Sequence, residues 1–112
     1  MKFIVIGLGN YGSALATGLT AMGQEVIGID GNREKTEMFK DVISQTICLD
    51  STNENALATL PLKECDYAIV TIGEDFGASI MTTALLKKAG VNNLVSRAIN
   101  PLHQKLIAFW GR

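Results

Sequence analysis

The sequence is poor in proline, cysteine and histidine, and it has no long apolar run. Its 112 residues include 2 prolines, 2 cysteines and 1 histidine. Apolar runs such as 3–6 and 67–70 are far shorter than the roughly 20 residues that cross a bilayer. Cys48 and Cys65 have no spacing typical of a zinc site or a disulfide framework, so we expect two small, buried or half-buried thiols.

The sequence also lacks a large excess of positive or negative charge. The 10 basic residues against 11 acidic residues leave a net charge of −1, which provides no general attraction for nucleic acid or anionic lipid. A hydrophobic fraction of 47% excludes a disordered chain. The length suits one domain with a single core, so we expect residues 1–112 to form one compact unit.

Short apolar runs alternate with segments of helical periodicity along the whole chain. Strands are predicted at 2–7, 25–30, 46–49, 67–72 and 93–96, and helices at 11–22, 33–40, 53–60, 76–89 and 101–110. Such alternation favours parallel strands joined by right-handed crossovers. We therefore expect an α/β fold, a doubly wound, Rossmann-like parallel sheet of strand order 3-2-1-4-5 with helices on both faces.

A glycine-rich string links the first strand to the first helix. Gly7, Gly9 and Gly12 form a GxGxxG pattern directly after an apolar strand and at the start of an amphipathic helix. In that context the first glycine permits a tight turn, the second allows a pyrophosphate to approach the backbone, and the third allows close helix packing. The amides and positive dipole end of the helix then favour an anion.

An acidic residue ends the second predicted strand. Asp30 follows Gly12 by 18 residues, close to the spacing of about 20 expected for a carboxylate that binds ribose hydroxyls. It would disfavour a 2′-phosphate and so favour NAD or another adenine nucleotide over NADP. Arg33 lies near enough to soften that preference, but we expect it to be a solvated helix residue. The alternative is that the glycines only form a turn and Asp30 only caps the next helix.

Polar residues also follow the third, fourth and fifth predicted strands. Asp50 and Ser51 would stand near an adenine, or Asp50 would instead cap the helix that begins near Asn53. Thr71 begins segment 71–73, which ends the fourth predicted strand. We expect this segment to line the crevice at the carboxyl ends of the strands, where the nucleotide would bind. Arg97, just past the fifth strand, would bind a phosphate or carboxylate, or pair with an acid across a subunit boundary.

Residues arranged for catalysis are not evident in the sequence. His103, the single histidine, falls in the last predicted helix, where a solvated or interface role is expected. The pattern indicates nucleotide binding without chemistry, and therefore not an enzyme. The alternative is the cofactor-binding domain of an NAD-dependent oxidoreductase that lacks its substrate domain.

Apolar residues spread widely over the last two predicted helices. Phe76, Ile80 and Ala84 share one face of the fourth helix, and Met81 and Leu85 extend the apolar surface beyond it. This breadth predicts a self-association surface. Coverage by neighbouring helices is the alternative.

Several strings together resemble the N-terminal lobe of the RCK (KTN, TrkA-N) domain of Trk/Ktr potassium uptake regulatory proteins. They are 7–12, 29–32, 68–73, 81–87 and 97–103. The resemblance implies a cytoplasmic gating domain that binds NAD(H) or ATP/ADP, assembles through dimers into rings, and controls a potassium-translocating subunit in the membrane. A further alternative is a sensing domain attached to an antiporter or channel.

The resemblance also implies which residues contact the nucleotide. They are Gly7, Gly9, Asn10, Tyr11, Gly12, Asp30, Asn32, Asp50, Ser51 and Thr71, with Arg97 at a basic position beside the crevice. Members that sense the terminal phosphate of ATP often have arginine at position 10, so Asn10 favours NAD(H) or a diphosphate here. Family members continue past the glycine that matches Gly111 into a sixth strand and a C-terminal lobe, which implies that this chain is part of a longer protein.

Overall fold

A five-stranded parallel sheet organises the chain. The computed structural model describes residues 1–73 and 75–96. The strands are β1 (Lys2–Ile6), β2 (Glu25–Asp30), β3 (Gln45–Cys48), β4 (Tyr67–Val70) and β5 (Leu94–Ser96), and the helices are α1 (Asn10–Ala21), α2 (Arg33–Phe39), α3 (Glu54–Leu57) and α4 (Phe76–Lys88). The order β3-β2-β1-β4-β5 confirms the predicted topology. The predicted fifth helix, His103 and Arg97 lie outside the described residues.

The central strand β1 supplies core residues to both faces of the sheet. Its side chains alternate, so that Ile4 and Ile6 belong to one core cluster and Val5 to the other. All three are at most 1% exposed. Burial on both faces explains why this strand reads as a continuous apolar run, as expected for the middle of a parallel sheet.

Helix α1 packs against the sheet through small side chains. Ala16 is buried in the cluster that also contains Val5 and Val26, and Leu19 packs against it. The sequence pattern predicts a face that includes Met22, but Met22 is 74% exposed. That prediction was wrong for Met22, because α1 ends at Ala21 and Met22 is its C-cap, whereas the buried residues of the helix are Gly12, Ser13 and Ala16.

Helix α4 contacts the opposite face of the sheet mainly through hydroxyl-bearing residues. Ser79, Thr82 and Thr83 are fully buried, together with Leu86. The hydroxyl of Thr83 donates to the Ser79 carbonyl at 2.7 Å, which satisfies it inside the helix. The apolar residues noted in the sequence on this helix have mixed surroundings. Met81 is 50% exposed, Phe76, Ile80 and Ala84 are half-buried, and Leu85 packs against the core cluster of Ile4 and Ile6.

The segment between β3 and β4 closes the core beneath α4. Helix α3 is shorter than the predicted 53–60 and ends at Leu57. Leu57, Leu60 and Cys65 are buried in the same cluster as Ile4 and Ile6.

Both cysteines are free, Cys48 partly and Cys65 fully buried, as expected, and burial raises the pKa of the Cys65 thiol. In ranges 1–73 and 75–96, no helix has the length and apolarity that a bilayer crossing requires.

Candidate functional site

A crevice of about 510 Å³ opens at the carboxyl ends of β2, β1 and β4. This is the edge where ligands bind in open parallel sheets. Its lining residues are Ile6, Gly7, Gly9, Asn10, Tyr11, Asp30, Gly31, Asn32, Lys35, Ser51, Thr71, Ile72, Gly73 and Asp75. Eight of the predicted site residues are in this set, whereas Gly12 and Asp50 are not.

Gly7 turns the chain from β1 towards α1. Its φ of +106° lies in the region that side chains rarely adopt, and a Cβ there would come within 2.9 Å of the backbone nitrogen of Ile72. The Gly7 N–H donates to the Ile29 carbonyl at 2.7 Å, so the turn is attached to β2. Glycine is therefore required at this position by the backbone alone.

Gly12 allows the first turn of α1 to lie directly against this turn. A Cβ at Gly12 would overlap the carbonyl oxygen of Gly7 and the hydroxyl of Thr71. That hydroxyl donates to the Gly7 carbonyl at 2.7 Å and to the Ile6 carbonyl at 3.1 Å. Thr71 lines the crevice, but its one hydroxyl proton is used to hold the turn, so towards a ligand it offers an acceptor.

Gly9 is the N-cap of α1 and has open space around it. A Cβ built at Gly9 would have no atom within 4 Å, and its φ of −72° suits any residue. The first N–H groups of a helix have no acceptor within the helix, and Gly9 has no side chain to supply one. Asn32, Asn53 and Asp75 supply such an acceptor at α2, α3 and α4. Helix α1 thus begins at the crevice without a capping side chain.

Asp30 connects the glycine turn to the end of β2. One carboxylate oxygen accepts a hydrogen bond from the Leu8 N–H at 2.8 Å, and the other accepts from the Asn32 N–H at 2.8 Å. The cap of α2 is Asn32, whose side chain accepts from the Lys35 N–H, so Asp30 is not the capping residue. A carboxylate has about four acceptor positions, which leaves two for ribose hydroxyls.

Asp50 and Ser51 have different surroundings. The Asp50 carboxylate accepts hydrogen bonds from the hydroxyl and N–H of Thr52, and these hold the pKa of that carboxyl below its usual range. It is exposed and does not line the crevice, and the cap of α3 is Asn53. Ser51 does line the crevice, and its hydroxyl is 2.8 Å from that of Thr82 on α4.

Two charged residues of the crevice were not predicted. Lys35 lies in the first turns of α2, and Asp75 is the N-cap of α4. The position of Asp75 between an apolar strand and a helix is typical of an N-cap, and a cap at the carboxyl end of a central strand faces the ligand edge. That signal was available in the sequence. Lys35 reads as an ordinary helix-surface lysine and carries no such signal.

Replacement of Thr82 by valine tests the Ser51–Thr82 contact. Valine keeps the shape but removes one of two paired hydroxyls in a buried position, so we expect a loss of about 1–2 kcal/mol in the free energy of unfolding. Urea denaturation measures it. In the double variant S51A/T82V the losses should be less than additive; additive losses would show that the hydroxyls do not interact.

Comparison with known proteins identifies the family of the chain. A family model for the TrkA-N domain matches residues 3–111. Ktr system potassium uptake protein C of Bacillus subtilis (strain 168) is 37% identical over 110 residues, which cover 98% of this chain and 50% of the relative. Ktr system potassium uptake protein A of the same organism is 36% identical over 106 residues, covering 95% and 48%. The chain spans about half the length of these curated relatives.

A solved structure shares the fold. The NAD(P)-binding domain of an exopolyphosphatase-related protein from Archaeoglobus fulgidus superposes with a TM-score of 0.85 at 26% identity, covering 97% of this chain and 81% of that one. The family model matches nearly the whole sequence, and the alignment with the Ktr relative covers almost the same residues. The chain therefore belongs to the TrkA-N domain family.

Proposed function

We propose that this domain binds an adenine nucleotide, NAD(H) or ATP/ADP, in the crevice without transforming it. In the full-length protein the bound nucleotide would regulate potassium uptake by an integral membrane partner, with the domain on the cytoplasmic side. The observation that carries the proposal is the uncapped start of α1, which lies at a glycine turn bonded to the Asp30 carboxylate.

The crevice offers separate partners for a diphosphate and a ribose. The N-terminal amides of α1 and its dipole favour a diphosphate next to Gly9, where no side chain intervenes. Asp30 would accept hydrogen bonds from the 2′- and 3′-hydroxyls, and its charge disfavours a 2′-phosphate. Asn10, Tyr11, Asn32 and Ser51 would add polar contacts from the crevice walls.

Regulation requires that the nucleotide bind two arrangements of the assembly with unequal affinity. We propose that this assembly is a homo-oligomer built from dimers. Met81 on α4 supports a contact between copies, because this large apolar side chain is 50% exposed. The names of the Ktr relatives support potassium as the ion. The resemblance to Trk/Ktr regulatory proteins supports a membrane protein as the partner.

Replacement of Gly9 by alanine is the experiment that tests nucleotide binding. The fold has room for the new methyl group, but the methyl group would stand where the diphosphate approaches the backbone. We expect affinity for every nucleotide that binds to fall by about tenfold to hundredfold, the equivalent of one lost charge-assisted hydrogen bond. Calorimetric titration with NAD, NADH, ATP and ADP measures this, and nucleotide recovered after incubation should be chromatographically unchanged.

Gly18→Ala is the matched control for this experiment. Gly18 lies on the same helix, is exposed, and also has no atom within 4 Å of a built Cβ. Its alanine variant should bind nucleotides like the parent protein. Equal affinities for the Gly9 and Gly18 variants would refute the proposed site, and a chemically altered nucleotide would refute the absence of catalysis.

A further inference from the structure

The charged side chains that line the crevice are distributed unevenly along it. Within the described ranges, Asp30 and Lys35 lie on the β2 side and Asp75 lies on the β4 side. The tip of β1, with the glycine turn, is between them because β1 pairs with both strands. Adjacent strands are about 4.8 Å apart, so the tips of β2 and β4 are separated by about 10 Å.

This distribution defines a direction for the nucleotide. A ribose on Asp30 and a diphosphate at the start of α1 extend the ligand from the tip of β2 across that of β1. Whatever follows the diphosphate must then lie over the tip of β4, beside Ile72, Gly73 and Asp75. In ATP that group is a terminal phosphate, whereas in NAD it is a nicotinamide nucleoside, which carries no further negative charge.

The Asp75 carboxylate is held at the edge of this region. One carboxylate oxygen accepts a hydrogen bond from the Ala78 N–H at 2.9 Å, which fixes the side chain at the start of α4. The residue is exposed. Two ion pairs occur within residues 1–73 and 75–96, Lys40–Glu37 and Lys88–Glu54. Asp75 belongs to neither of them, so no lysine or arginine of the described residues forms an ion pair with it.

We infer that Asp75 is a specificity-determining residue that selects against a terminal phosphate and for a dinucleotide such as NAD. The inference rests on the proposed function, since it assumes that a nucleotide occupies the crevice. A carboxylate beside a terminal phosphate repels it, while the same carboxylate is compatible with an uncharged or cationic nicotinamide ring. Among the described lining residues the cation is Lys35, which lies on the β2 side of the crevice and not on the side of Asp75.

Asp75→Asn tests the inference with little change in structure. Asparagine caps helices as well as aspartate does, so α4 keeps its N-terminal hydrogen bond while the charge is removed. By calorimetry without divalent cations, affinity for ATP should rise by about threefold to tenfold, while affinity for NAD changes by less than about twofold. The gain should shrink as salt rises from about 0.01 M to about 0.1 M, since the Debye length falls from about 30 Å to about 10 Å.

Glu25→Gln is the control for net charge. Glu25 is exposed and begins β2, at the opposite end of the sheet from the crevice. An unchanged ratio of ATP to NAD affinity in Asp75→Asn, or an equal change in Glu25→Gln, would overturn the inference and leave the proposed function standing. Absence of binding of both nucleotides to the parent protein would instead refute the proposed function. If Asp75→Asn unfolds at a lower temperature than the parent protein, Asp75→Ser repeats the test, because serine is also a good N-cap residue.

Discussion

Gly12→Ala is expected to destabilise the domain severely. The added methyl group would overlap the Gly7 carbonyl oxygen, a backbone atom held by the Thr71 hydroxyl, so the turn and the helix cannot both keep their positions. We expect a loss of about 3–5 kcal/mol in the free energy of unfolding, or no cooperative transition at all. Urea denaturation followed by circular dichroism measures the effect.

Gly18→Ala again provides the comparison, six residues further along α1. Here alanine meets no neighbour and replaces glycine within a helix, so it should stabilise the protein by up to about 1 kcal/mol. The two variants add the same methyl group to the same helix. If Gly12→Ala unfolded at the same urea concentration as the parent, the close contact between helix and turn described above would be incorrect.

Asp30→Ala is expected to impair both nucleotide binding and stability. Loss of the ribose acceptor should weaken NAD binding by about tenfold to hundredfold, as for a lost hydrogen bond to a charged group. The Leu8 N–H would also lose its acceptor, which costs about 1–3 kcal/mol of stability, although unfolding should remain cooperative. Calorimetry and urea denaturation separate the two effects.

Asp66→Ala distinguishes the binding role of Asp30 from its structural role. Asp66 accepts a hydrogen bond from the Lys2 N–H at 2.7 Å, much as Asp30 accepts from the Leu8 N–H, but at the amino end of β1. Its alanine variant should lose some stability and keep its nucleotide affinity. Unchanged affinity in Asp30→Ala would contradict the ribose assignment, whatever happened to stability.

The strand order was predictable because β1 is buried on both faces and its neighbours β2 and β4 are buried or half-buried along most of their length. Continuous apolar runs in β1, β2 and β4, separated by helical segments, permit few arrangements other than the parallel sheet that is observed. The ends of elements were less predictable. Helix α3 ends at Leu57 rather than at Leu60, since the chain tightens into turns before Pro61.

The buried face of α4 was not predictable from hydrophobic periodicity. Periodicity assigns apolar side chains to the core, yet Ser79, Thr82 and Thr83 occupy it. Their burial depends on partners distant in sequence: Thr82 pairs with Ser51, and Thr83 is 2.9 Å from the Ser96 hydroxyl. Only the folded chain brings those partners together, so the pattern alone cannot reveal them.

The glycine turn and Asp30 of the candidate site were predictable from the sequence, and the charged residues that enter the crevice from the starts of α2 and α4 were less so. The spacing of Gly7, Gly9 and Gly12 and the strand-end position of Asp30 indicate a turn and an acid at one edge, and both occur there. Asp75 could have been found from its place between an apolar strand and a helix, whereas Lys35 enters the crevice from a helix start whose direction depends on how α2 packs. Arg97 stays a prediction, since it lies outside the described residues.

The hydrogen bond between the Leu8 N–H and the Asp30 carboxylate has a kinetic consequence. Both partners belong to this chain, so the turn and the acid hold one another in place whichever molecule arrives. Association then requires no ordering of this turn, so the turn itself does not slow the arrival of a ligand. Differences in affinity between rival nucleotides would then lie in how long each stays bound.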